Sequence, residues 1–269
     1  MKDRVSISID RGVADVRLTR ADKMNALDER MFDALVEAGT ALAEDAEVRC
    51  VVLSGEGRAF CAGIDMAALA ELSGLGGPRA RTLAERTHGI ANKPQQAVWV
   101  WHELPVPVIA AVHGVAFGGG FQLMLGADMR FVAPDTKLSV MEAKWGLVPD
   151  MAGTILMRRL ARDDVIRELT YTARVFSADD ALTYGFATRV CEEPRRVAME
   201  TAREIATRSP SAIEAAKRLL NRVPDLPEAE ALLLESVEQD AIIGKANQIE
   251  AVMSQKEGRE ARFQAARGR

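Results

Sequence analysis

The chain has 269 residues, and its 35 Lys and Arg against 39 Asp and Glu give a formal net charge of −4. This near balance gives no reason to expect a nucleic-acid or anionic-membrane partner. Apolar residues make up 48% and charged residues 28%, which excludes disordered and collagen-like chains. Cys50, Cys61 and Cys191 form no closely spaced pair, and the N-terminus carries no apolar signal segment. We therefore expect a cytoplasmic protein with neither disulfides nor a metal site.

The first 55 residues predict two strands, a helix and a third strand. Residues 6–9 and 13–18 alternate apolar and polar side chains around a turn at Asp10-Arg11-Gly12, which is typical of a hairpin. Asp28 is placed to cap a helix, and residues 51–53 read as a short buried strand. A helix between two strands in this order favours a parallel crossover unit. The helix carries an apolar stripe at three- and four-residue spacing: Met31, Phe32, Leu35, Ala38 and Leu42.

The middle of the chain contains a long stretch without charge, between Glu103 and Asp128. Its length alone would suit a membrane span. Pro105 and Pro107 near its start and glycines 118–120 in its middle instead favour a strand, a turn and a helix. We therefore expect no membrane segment. The predicted elements here are a helix over 95–104, strands over 106–112 and 129–132, and a helix that starts at the glycines.

Helical periods dominate after Gly153. Ser177 with Asp180 resembles a capping box, Ser209-Pro210 begins a helix, and residues 227–255 form a long helical pattern interrupted only by Gly244. We predict an α/β core over residues 1–195 and a helical region over 196–269. Residues 73–87, rich in Gly and Arg, are expected to form the rim of a pocket.

Two loops carry the strongest chemical signal. Dinucleotide-binding and P-loop spacings are missing, and His88, His102 and His113 include no i, i+4 pair. Loops 59–65 and 114–122 each follow a predicted strand and contain glycines, which allow backbone N–H groups to approach a ligand closely. Two such loops that converge would form an oxyanion hole. Close packing of the glycines against the sheet is the alternative explanation for either loop alone.

The sequence resembles the crotonase superfamily, the enoyl-CoA hydratase/isomerase family, over nearly its whole length. The resemblance implies a spiral of βα units with a C-terminal helical region that builds trimers or hexamers. It implies an acyl-CoA thioester as substrate, no cofactor beyond that CoA, and N–H groups of Ala62 and Gly119 that bind the thioester oxygen. The matching segments are Arg20 to Leu27, Ala59 to Asp65, Pro107 to Gly114 with glycines 118–120, and Phe176 to Gly185.

The candidate acid and base residues depart from the pattern of a hydratase in this family. Family hydratases carry one Glu two residues after the glycine triplet and another twenty residues later, where this chain has Gln122 and Glu142. An amide cannot accept a proton near neutral pH. Asp150 lies where dienoyl-CoA isomerases of the family carry an Asp, although those enzymes also have an Asp at the position of Gln122.

We therefore expect an enzyme of fatty-acid β-oxidation that acts on an unsaturated acyl-CoA through an enolate. Double-bond isomerisation by Glu142 and Asp150 is favoured over hydration. A hydratase with a single Glu, a silent acyl-CoA-binding homologue, and a hydrolase or decarboxylase of the same fold remain open.

The residues that would contact CoA are implied by the same resemblance. Lys23 stands where the family often has a basic residue near the CoA phosphates, and Phe263 stands where it often contacts adenine. Solvated surface charge is an equal explanation for the basic residues. The remaining candidates lie in the matching loops: Ala26, Ala59, Gly63, Ile64, Asp65 and Gly118.

Overall fold

The structure, a computed structural model, describes residues 3–72 and 82–266. Most of the predicted pocket rim, residues 73–81, lies outside these ranges. The strands are β1 (Val5–Asp10), β2 (Val13–Leu18), β3 (Cys50–Gly55), β4 (Val108–Val112), β5 (Val115–Phe117), β6 (Met129–Val132), β7 (Lys137–Ser139), β8 (Phe176–Ser177) and β9 (Arg189–Val190).

The described helices are interspersed with these strands along the chain, and they dominate its C-terminal third, as predicted. In chain order they are α1 (Glu29–Glu44), α2 (Met66–Leu72), α3 (Lys93–Glu103), α4 (Gly119–Leu125), α5 (Gly153–Met157), α6 (Asp163–Thr172), α7 (Ala178–Tyr184), α8 (Pro194–Ala206), α9 (Pro210–Arg222), α10 (Glu228–Ile242) and α11 (Ala246–Glu257). Short 3₁₀ turns cover Ala21–Lys23, Glu142–Trp145 and Val223–Asp225. Among the described helices, none has both the length and the apolar character needed to cross a membrane.

The main sheet has six strands in the order β1-β2-β3-β4-β6-β9. The β1–β2 hairpin is antiparallel, as predicted, and every other pair is parallel. All residues of β3 and β4 are buried, which suits parallel strands covered on both faces. Because the carboxyl ends of parallel strands lie at one edge, the loops that follow β3 and β4 start side by side. A small second sheet, β5-β7-β8, extends from that edge.

Two helical layers enclose the main sheet. Helices α1 and α3 pack on each other on one face, where Leu35 and Trp101 are fully buried. Helix α8 covers the other face, where Ala198 and Ala202 pack against Val52 and Ile109. The predicted boundary between residues 195 and 196 falls in the first turn of α8, and the division of the chain there stays a prediction.

Local capping signals in the sequence are confirmed. The Asp28 carboxylate accepts the Met31 N–H at the start of α1. Ser177 and Asp180 form a reciprocal capping box on α7. Helix α3 begins two residues before its predicted start, because Asn92 caps it in a further reciprocal box with Gln95.

A buried cation attaches the C-terminal helices to the sheet. Lys217 on α9 is 5% exposed, and its ammonium group donates to the carbonyls of Trp101 and Val106 and to the Asp128 carboxylate at 2.8 Å. Burial lowers the pKa of Lys217, while Asp128 opposes this effect. Since an unpaired charge in this position would be costly, the pairing fixes α9 against the core.

Candidate active site

The two predicted loops lie against each other. The Cys61 N–H donates to the Val115 carbonyl, and the Phe117 N–H donates to the Cys61 carbonyl, each at 3.1 Å. These bonds form a parallel bridge between Cys61 and Ala116. Loop 59–65 therefore continues beside β5 up to the start of α4, so the two loops lie side by side.

Gly63 allows the closest approach between the loops. Its φ of +88° is one that residues with a side chain rarely adopt. A Cβ atom there would lie 2.5 Å from the Phe117 carbonyl oxygen and 3.7 Å from the Gly119 nitrogen. Any side chain at this position would push the loops apart, and Gly63 itself lies beside the first residue of α4.

The backbone N–H groups of loop 59–65 are largely used by other parts of the protein. Ala62 donates to the Met24 carbonyl and Asp65 to the Leu27 carbonyl, each at 2.9 Å. The expectation that Ala62 supplies an oxyanion donor is therefore wrong, because its N–H already has an acceptor. Within the part of the chain that the structure describes, the Ile64 N–H has no acceptor, and neither has the Gly119 N–H at the start of α4.

Gln122 and Glu142 meet in the interior beside the start of α4. The Gln122 amide Nε2 donates to Glu142 Oε1 at 2.6 Å. The Gln122 Oε1 accepts the N–H groups of Met151 and Gly153, both at 2.9 Å. Its two oxygen lone pairs and one of its N–H groups are thus engaged, and Gln122 links Glu142 to the segment that begins α5. The structure thus brings together two positions that are twenty residues apart in sequence.

Glu142 is a buried carboxylate with one unused oxygen. The residue is 8% exposed, and its Oε2 is buried without a hydrogen-bond partner among the described residues. Burial raises the pKa of Glu142, and the negative charge of Asp150 adds to this rise. Hydrogen bonds from its own backbone and from Gln122 act in the opposite direction. A carboxylate with a raised pKa and an unpaired oxygen is suited to accept a proton from carbon.

Gly118 brings the backbone next to this carboxylate. It adopts φ +50° and ψ −117°, and a Cβ atom there would lie 3.3 Å from Glu142 Oε1. The Gly118 N–H donates to the Ser139 carbonyl, which ties the turn to β7. The glycine triplet thus places the start of α4 between the loop at Ile64 and the carboxylate of Glu142.

Asp150 lies at the outer side of this arrangement. It is exposed, and it precedes Met151, whose N–H is bound by Gln122. Its negative charge raises the pKa of Glu142, so the two carboxylates are electrostatically coupled. Its assignment as a second proton-transfer group stays a prediction.

The residues predicted to contact CoA differ in their exposure and in the groups that they bind. Lys23 is exposed on the turn that leads into the site. Ala26 and Ala59 are buried, and their carbonyls accept hydrogen bonds from Arg20 and Asn25 respectively.

The Asp65 carboxylate pairs with the Arg20 guanidinium at 2.8 Å, so it braces the loop from within. The Phe263 carbonyl accepts a bond from Arg49, which directly precedes β3. Loop 59–65 follows the other end of β3, so a single chain does not bring Phe263 to the site.

Comparison with known proteins places the chain in a family. The model of the enoyl-CoA hydratase/isomerase family matches residues 8–266. Mitochondrial Delta(3,5)-Delta(2,4)-dienoyl-CoA isomerase of Homo sapiens is 35% identical over 232 residues, which cover 84% of this chain and 70% of that protein. Mitochondrial methylglutaconyl-CoA hydratase of Mus musculus is 30% identical over 261 residues, which cover 94% of this chain and 80% of that protein.

The fold comparison agrees. The crystal structure of an enoyl-CoA hydratase from Bacillus anthracis gives a TM-score of 0.87 at 28% identity and covers 98% of this chain and 100% of that one. The chain therefore belongs to the enoyl-CoA hydratase/isomerase family, has the crotonase fold and is an enzyme of that family.

The charge coupling of the site predicts a specific change in pH dependence. A base must be deprotonated to act, so kcat/KM should fall as the pH drops below the raised pKa of Glu142. Asp150→Asn removes a negative charge that raises this pKa, and the acidic limb of the profile should therefore move to lower pH. Asp135→Asn is a matched control, since Asp135 is also exposed and also follows a proline. Identical limbs in wild type and Asp150→Asn would contradict the coupling.

Proposed function

We propose that the chain isomerises the double bond of an unsaturated acyl-CoA through an enolate intermediate. The observation that carries this proposal is the buried Gln122–Glu142 hydrogen bond, which leaves a single carboxylate with one unpaired oxygen close to the start of α4. CoA is carried by the substrate, and the reaction requires no other cofactor.

In the proposed reaction the thioester oxygen accepts hydrogen bonds from the N–H groups of Ile64 and Gly119. Glu142 Oε2 removes a proton from C2 of a 3-enoyl or 3,5-dienoyl chain, and the electron pair of that C–H bond delocalises onto the thioester oxygen. The enolate is stabilised where its charge develops, at the start of α4. A proton then returns to C4 or C6, respectively, so that the double bond becomes conjugated with the carbonyl and atoms and charge balance.

Gln122 stands where the hydratases of the family carry their first glutamate, and its amide cannot activate water as a carboxylate does. Hydration needs a second group that activates water, and the Gln122 amide accepts no proton near neutral pH. Both of its oxygen lone pairs are also taken by backbone N–H groups. Asp150 is the candidate for returning or relaying the second proton, because its charge reaches Glu142.

Hydration is the second candidate reaction. The alignment with methylglutaconyl-CoA hydratase covers 94% of this chain, more than the 84% covered by the dienoyl-CoA isomerase, although at lower identity. In that case Glu142 alone would have to deliver the proton and direct the water.

A panel of CoA thioesters followed by mass spectrometry tests the reaction type. With 3-enoyl- and 3,5-dienoyl-CoA we expect products of unchanged mass and shifted double bonds, formed faster than 2-enoyl-CoA gains one water. Hydration of 2-enoyl-CoA at ordinary enzyme rates, with 3-enoyl- and 3,5-dienoyl-CoA left unchanged, would contradict the proposal and favour a hydratase with one glutamate.

Gln122→Glu is the companion variant in the same assay. A carboxylate at this position can still accept the N–H groups of Met151 and Gly153, and its second oxygen would lie within hydrogen-bond distance of Glu142. Since two carboxylates this close share a proton, one pKa of the pair should rise. Hydration of 2-enoyl-CoA should increase relative to wild type. An unchanged ratio of hydration to isomerisation would show that Gln122 does not set the reaction type.

We also propose that the chain assembles as a trimer or a dimer of trimers through its C-terminal helices. Helices α10 and α11 expose large apolar side chains to solvent: Leu232, Leu233, Val237, Ile249 and Val252. Association would remove this apolar surface from water. Light scattering should give three or six times the 29.2 kDa chain mass. A monomer at working concentration would contradict the assembly.

A further inference from the structure

A strained turn at Met24 and Asn25 packs against loop 59–65. Met24 and Asn25 have φ values of +50° and +55°, in the left-handed region that non-glycine residues rarely occupy. Two such residues in succession cost free energy, and they persist only where the surrounding contacts hold them. Asn25 is completely buried, so these contacts come from the protein itself.

The Asn25 side chain binds the segment that leads into loop 59–65. Its Nδ2 donates to the Glu56 carbonyl at 3.0 Å and to the Ala59 carbonyl at 2.9 Å. The neighbouring Met24 carbonyl accepts the Ala62 N–H at 2.9 Å. The turn at 24–25 thereby holds both sides of the bend that precedes Ile64.

The thiol of Cys61 adds a further bond to this turn. Its Sγ donates to the Asn25 carbonyl at 3.1 Å, and the residue is completely buried. Burial raises the pKa of the Cys61 thiol to about 12, while a hydrogen bond from the Gly63 backbone opposes the rise. The thiol therefore keeps its proton at neutral pH and serves as a hydrogen-bond donor. Neither a nucleophilic nor a redox role is needed to explain it.

These bonds determine which N–H group of the loop is left for a ligand. The residues at positions 59, 61 and 62 are bound to the turn directly, and Gly63 is packed against Phe117. The Asp65 N–H is bound to Leu27, so Ile64 lies between two fixed points with its N–H unused. A shift of the turn would move Ile64 relative to Gly119.

We infer that Asn25 and Cys61 are positioning residues for the oxyanion hole. The strained turn and the buried thiol hold the Ile64 N–H at the correct distance from the Gly119 N–H, and neither side chain touches the substrate. This inference rests on the proposed function, because it assigns a role to residues behind the Ile64 donor.

Variants separate this role from a purely structural one. Asn25→Gly accepts the left-handed backbone but removes the amide, and Cys61→Ala removes the thiol donor while Cys61→Ser retains a donor. Cys50→Ala is the matched control, since Cys50 is an equally buried thiol in the separate core beneath α8. The readouts are kcat, the Kd of a saturated acyl-CoA, and the infrared carbonyl frequency of that thioester, labelled with carbon-13, when bound.

Wild-type protein should lower the carbonyl frequency of the bound thioester relative to the free one. Asn25→Gly and Cys61→Ala should lose much of this shift and about 10- to 100-fold in kcat, since displacement of one donor weakens enolate stabilisation. The Kd should change by less than about threefold, because the rest of the CoA contacts stay in place. Cys61→Ser should restore most of the shift, and Cys50→Ala should leave it unchanged.

The outcomes distinguish the inference from the proposed function. If wild type produces no carbonyl shift, the oxyanion hole itself fails, and the positioning role fails with it. If wild type shifts the band and the folded variants shift it equally, only the positioning role is overturned, whatever their effect on kcat. Should Asn25→Gly fail to fold, the comparison of Cys61→Ala with Cys61→Ser decides the question.

Discussion

The parallel pairing of β3 with β4 is the constraint on which the site depends. Because the two strands run in the same direction, their following loops leave the sheet at one edge, and the hydrogen bonds between Cys61 and β5 extend the pairing beyond it. The N–H groups of Ile64 and Gly119 therefore belong to neighbouring segments. Backbone donors fixed in this way need no reorganisation when negative charge develops on a bound oxygen.

The pKa of Glu142 is set by a balance between burial and hydrogen bonding. Burial makes Glu142 a stronger base than a solvated glutamate, and the amide of Gln122 partly offsets this while it fixes one carboxylate oxygen. The same amide binds the backbone at Met151 and Gly153, so base and loop move together. In the proposed reaction Gln122 therefore contributes geometry, and Glu142 acts as the base.

Local signals allowed much of the fold to be predicted, because their contacts are close in sequence. Asp28 meets its partner three residues later, and the boundaries of the helices follow such pairs. The choice between Ala62 and Ile64 as a donor was not predictable in this way. It depends on the Met24 carbonyl, 38 residues away, and on the left-handed backbone of Met24 and Asn25, which no local sequence pattern predicted. The position of Phe263 is likewise set by contacts distant in sequence, since its carbonyl is bound by Arg49, and its contact with CoA stays a prediction.

Exchange of the C2 hydrogens of a saturated acyl-CoA in heavy water tests the enolate most directly, since it needs no choice of double-bond position. Wild type should incorporate deuterium at C2, and Glu142→Gln should slow this incorporation by about 10²- to 10⁴-fold with little change in binding. Incorporation by Glu142→Gln at the wild-type rate would contradict the account, because another group would then be the base.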